Sequence, residues 1–157
     1  MHGKTQSYER KLIMIEQDTI RLLRECDAGI KMGISSIDDS LKYIQSTELK
    51  QILEKCMKEH ESIKSELQGL LEDYHDEGKE PPVMAKGMSW IKTNVKLAVN
   101  ESDNAVADFI TDGCNMGVKS LSCYLNKYKA ADDKSKDIAK KLISLEERLA
   151  VDIRKFL

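Results

Sequence analysis

Proline is nearly missing from these 157 residues; the only two are adjacent, Pro81 and Pro82. Long helices are therefore free to run on either side of that point, and proline-rich linkers are excluded. Aromatics make up 5% of the chain, and no basic stretch with interleaved aromatics occurs, which argues against nucleic acid as a partner. No apolar run is long enough to span a bilayer, and Met1–Ser7 lack the apolar stretch of a signal peptide. The expected location is the cytoplasm. The four cysteines, Cys26, Cys56, Cys114 and Cys123, form no C-x-x-C pair, so they are expected as small buried hydrophobes rather than a zinc site.

What is present is 33% charged residues of both signs, a net charge of -2, and abundant Leu, Ile, Lys, Glu and Ala. That is the composition of a single helical bundle domain over residues 1–157. Apolar residues recur in steps of three and four, the period of one buried helical face. A polar arm over 1–11 precedes a first helix from Leu12 to Ile44. Its seam runs through Leu23, Asp27, Ile30, Ile34, Ile37 and Leu41. Gln45-Ser46-Thr47 is a tight turn with a capping hydroxyl. The second helix then carries Leu49, Leu53, Cys56, His60, Ile63, Leu67, Leu70 and Tyr74. Residues 76–101 form a crossover. It begins with the loop Asp76–Pro82 and contains a helix over 83–99, where Met84, Met88 and Trp90 could form an apolar docking patch. After Ser102 the third helix has Ala107, Thr111, Cys114, Val118, Leu121 and Leu125. The fourth has Ala139, Leu142, Glu146, Leu149 and Ile153.

One motif occurs twice. Gly29-Ile30-Lys31-Met32-Gly33-Ile34-Ser35-Ser36-Ile37 returns as Gly113-Cys114-Asn115-Met116-Gly117-Val118-Lys119-Ser120-Leu121. Four mid-helix glycines cost about 4 kcal/mol against alanine, so something must offset them. Close approach of helix backbones within the subunit is the first expectation; a groove for a second subunit or a flat ligand is the other. Met32 and Met116 are expected as core fillers. The first seam maps onto the third at the glycine offset. With two residues added in the turn, the second maps onto the fourth, so His60 answers to Glu146. The chain is thus expected to be a duplicated helical hairpin. A crossover of bundle length would start the third helix at the end opposite to where the second finishes.

Four segments carry a resemblance: Asp27-Ala28-Gly29, Glu48-Leu49-Lys50, Gly87-Met88-Ser89-Trp90-Ile91-Lys92 and Asp112-Gly113-Cys114-Asn115. In these the chain resembles small bacterial four-helix bundles of the ferritin-like superfamily. The resemblance implies an all-α, ferritin-like fold of two hairpins joined by one long crossover. Metal-binding members of that group carry a Glu on each of two helices and Glu-x-x-His on the other two. Here Met57 stands three residues before His60, and Leu149 and Ala150 follow Glu146 where a histidine would be needed. The di-metal motif is incomplete, and no nucleophile–base pair or phosphate loop is present, so the balance is against an enzyme and no cofactor is expected.

The expected function is therefore a non-enzymatic bundle with a structural or interaction role, whose partner is a second copy of the chain or another protein, and not a membrane. The alternative is a reduced mid-bundle site for a divalent metal such as iron, zinc or manganese, built from Glu59, His60, Glu146 and Cys114. In the simpler reading His60 is a buried histidine bonded to Glu146 or a serine.

Overall fold

The computed structural model describes residues 2–81 and 102–157, and the elements among them are all helical. They are α1 (His2–Leu41), α2 (Thr47–Asp73), α3 (Asp103–Lys127) and α4 (Asp133–Asp152), followed by a 3₁₀ turn at Arg154–Phe156. Each internal start is fixed by a side-chain cap. Ser46 Oγ accepts from Leu49 N, Ser102 Oγ from Ala105 N, and Asp132 from Ser135 N. Glu48, Asp103 and Asp133 place negative charge in the first turns, where the helix dipole favours it.

The helices form a four-helix bundle in which α1 packs on α2 and α3, and α4 packs on α3, α2 and α1. At one end the Asp103 carboxylate accepts from Gln45 N at 2.8 Å and Ser46 N at 3.0 Å, tying the start of α3 to the α1–α2 turn. At the other end Ala130 N donates to Asp18, and Asp132 N donates to the buried Thr19 hydroxyl at 2.8 Å. The Tyr74 hydroxyl, at the finish of α2, meets Asp132. So α3 begins at the end opposite to where α2 finishes and runs parallel to it, the direction expected from the sequence. The expected crossover helix over 83–99, with Trp90, lies outside the described residues.

Two expectations about α1 are corrected. The helix starts not at Leu12 but at His2, so the polar segment 1–11 is itself helical. Nothing among Lys4, Gln6, Glu9, Arg10 and Lys11 opposes helix, and their exposure leaves no periodic stripe to reveal it. The other boundary also moves, from Ile44 back to Leu41. At about 1.5 Å per residue α1 is roughly 60 Å long, and the part before Asp18 projects past the α3–α4 turn with Tyr8, Leu12, Ile13 and Met14 exposed.

The core comes in two clusters. One gathers Ile37, Leu49, Leu53, Val106, Phe109, Leu145, Leu149 and Ile153; the other gathers Leu22, Leu23, Ile30, Leu67, Leu121, Ile138 and Leu142. Along α2 His60 sits where one cluster gives way to the other; on α4 the change falls between Leu142 and Leu145, just before Glu146. No helix among the described residues is long and apolar enough to cross a membrane.

Candidate functional site: a glycine-walled cavity at mid-bundle

His60 is 2% exposed, held in the seam of α2 by Leu53 and Cys56 on one side and Leu67 on the other. Its Nδ1 lies 2.8 Å from the Cys56 carbonyl oxygen, one helical turn back. A carbonyl only accepts, so Nδ1 carries the proton and Nε2 presents a bare lone pair. That Nε2 is buried and has no hydrogen-bond partner. Burial holds the imidazole pKa below its ordinary value, so the ring is neutral.

Glu146 answers to His60 on α4. Its Oε2 is likewise buried without a hydrogen-bond partner, and burial pushes the carboxyl pKa up to about 8. The same surroundings push the Cys56 thiol to about 12 and raise Cys114, both in the field of Glu146, so both are neutral thiols. The expected pairing of His60 with Glu146 is corrected, since neither bonds the other and the histidine's partner is a backbone carbonyl.

Each of the two side chains rests against a glycine. A β-carbon built on Gly33 would meet His60 Nε2 at 2.9 Å, and one built on Gly117 would overlap the Glu146 carboxylate. Gly29 and Gly113, one turn earlier on α1 and α3, face open space: a β-carbon on either would meet no described atom within 4 Å beyond its own helix backbone. The first expectation for these glycines is therefore corrected. They do not serve backbone-to-backbone packing. Gly33 and Gly117 make room for the two polar side chains, while Gly29 and Gly113 leave a hollow.

That hollow is a cavity of about 280 Å³ between α1 and α3. All four glycines line it, with Met32 and Met116 at its sides, His60 and Glu146 reaching in from α2 and α4, and Cys114, Phe109 and Tyr124 among the remaining walls. Met116 is 51% exposed, so the expectation of a core filler fails for it. A volume near 300 Å³, mainly apolar walls and a few convergent polar atoms describe a small-molecule pocket.

Of the candidate metal ligands, the structure brings His60, Glu146 and Cys114 to this cavity and leaves Glu59 out. Glu59 pairs with Arg148 on the outer face between α2 and α4. Among the described residues no three His, Cys, Asp or Glu side chains group closely enough to hold a metal ion. The residues present do not fit a di-metal centre. All four cysteines are free, and Cys123 is exposed, against the expectation of four buried thiols.

Sequence reasoning missed the strap that borders the cavity. Residues 76–81 climb the side of α1: Asp76 is gripped by Arg24, Lys79 N donates to Asp27 at 2.9 Å, Lys79 Nζ to Glu25, and Lys31 Nζ to Glu80 at 2.8 Å. Gly78 holds φ +86°, where a β-carbon would collide with the Asp27 carboxylate. Asp27, 1% exposed, is the strap's anchor.

The glycines supply a direct test. Replacing Gly29 and Gly113 together by alanine is expected to raise stability by about 1–2 kcal/mol, because alanine gains helix propensity and no described atom opposes it. A urea midpoint below that of the parent would show that close packing, not a hollow, required the glycines.

Comparison with family models, curated proteins and solved structures finds no match to the chain.

Proposed function

We propose that this protein is a non-catalytic, ferritin-like helical bundle that works by binding, and that the cavity between α1 and α3 is where it holds a small ligand. One observation carries this reading: two buried polar atoms without partners, His60 Nε2 and Glu146 Oε2, border a hollow kept open by glycines. Unpaired buried polar groups and interior glycines each cost stability, and a bundle selected for stability alone would have neither. The ancestral duplication belongs to the same proposal. It is supported by the equivalent seats of His60 on Gly33 and Glu146 on Gly117, on residues that the repeat already pairs.

The test is a thermal-shift screen of a chemically mixed fragment library on the parent and on G113L, whose added side chain projects into the hollow. Fragments that raise the Tm of the parent and leave G113L unmoved support the cavity as the site; equal shifts, or none, reject it. Zinc, iron(II) and manganese(II) belong in the same screen. His60, Glu146 and Cys114 line one cavity without grouping as a ligand set, so no metal-induced shift is expected; one abolished by H60A would favour the metal reading over an organic ligand.

A further inference from the structure

The cavity's polar atoms are unbalanced in kind. His60 Nε2 can only accept, because its ring proton is committed to the Cys56 carbonyl. Glu146 Oε2, when ionised, can only accept as well. The other charged groups at the walls cancel: Lys79 is bound to Glu25. Among the described residues burial alone displaces the Glu146 carboxyl, with no cation in its field; the neutral thiols of Cys56 and Cys114 lie in its field, and the neutral imidazole of His60 lines the same cavity. On α4 itself Arg148 turns outward to Glu59. Once Glu146 ionises, the described walls present two buried acceptors and no uncommitted donor of positive charge.

We infer that the ligand of this cavity is a small organic cation, a compact apolar body bearing an ammonium or amidinium group whose N–H donors meet His60 Nε2 and the Glu146 carboxylate. This rests on the binding role proposed above and narrows it to a chemical class. Without the cation, Glu146 keeps its own proton and the cavity is uncharged. Binding replaces that proton: the carboxyl ionises, one proton leaves to the buffer, and the cation takes its place. Methionines and aliphatic walls receive the apolar body.

The experiment uses three isosteric probes on the full chain: benzamidine (cationic), benzamide (neutral) and benzoate (anionic). Titration calorimetry at pH 6.5, in two buffers of different ionisation enthalpy, counts the protons exchanged. Benzamidine is expected to bind at least about tenfold more tightly than benzamide, with about one proton released, and benzoate not to bind. Above pH 8 the proton release should vanish while the preference remains, because Glu146 is then already ionised. In E146Q, an isosteric change, the preference of benzamidine over benzamide should fall to within about threefold and proton release should cease. If benzamide or benzoate binds as tightly as benzamidine, the cation assignment is overturned while a binding cavity stands. The assignment also falls if none of the three binds at millimolar concentration, or if zinc alone binds and H60A abolishes it.

Discussion

Between pH 6.5 and 8 the protein is expected to lose roughly 2 kcal/mol of stability, and E146Q is expected to lose almost none. The unfolded chain releases the Glu146 proton near 4.5; the folded chain holds it to about 8. Between those values the native state carries the extra proton, so Glu146's contribution is full below 4.5 and is lost as pH rises to about 8. At about 1.4 kcal/mol per pH unit the whole displacement amounts to roughly 5 kcal/mol. His60 works with the opposite sign, but only below 6.5: its folded pKa is lowered, so there the unfolded chain binds the proton first and acid destabilises. Above 6.5 the imidazole is neutral in both states and drops out. The raised cysteines enter only above their ordinary value of 9, and Asp76 only below 3.8. Urea midpoints at half-unit pH intervals would trace the slope. A parent protein whose stability stays flat across this window, or an E146Q whose slope is unchanged, would place the carboxyl in water.

The second large effect belongs to Asp27. D27A is expected to cost about 3 kcal/mol or more, as breaking a buried ion pair does. It removes the acceptor of Lys79 N–H and the carboxylate 2.8 Å from Lys31 Nζ, leaving a donor and a largely buried ammonium undercompensated. D27N keeps an acceptor for Lys79 N–H and should lose less. Limited proteolysis supplies the second readout. Cleavage within 76–81 should accelerate in D27A well beyond D27N, because the strap's other tethers, Arg24–Asp76, Lys79–Glu25 and Lys31–Glu80, each have an exposed partner. Equal cleavage in parent and D27A would mean the strap is held by those surface pairs alone.

Much of the bundle was legible in the sequence because its signals are local. Leu49, Leu53, Cys56, His60 and Leu67, spaced by threes and fours, are all buried on α2, and Ser46 and Ser102 cap where hydroxyls before acidic first turns predict. The twofold glycine motif was legible too, and its second glycines, Gly33 and Gly117, are the ones that seat His60 and Glu146. Glu59 fails because, about 100° around the helix from the buried His60, it reaches the outer face between α2 and α4 and pairs there with Arg148. The strap was illegible because its bonds join residues about fifty positions apart, and nothing local to Asp27 announces Lys79. The glycines were legible as costly, but what they accommodate depends on the neighbouring helix's side chain, and sequence spacing does not distinguish a methyl-sized gap from a hollow.

The division of the core at the level of His60 and Glu146 has a mechanical consequence. Each end of the bundle is packed by its own apolar cluster, while between them His60 and Glu146 make no mutual bond and four glycines bring no β-carbon to the α1–α3 side. If the cavity takes a ligand as proposed, a local parting of α1 and α3 at this level, with both ends still packed, is its expected route of entry.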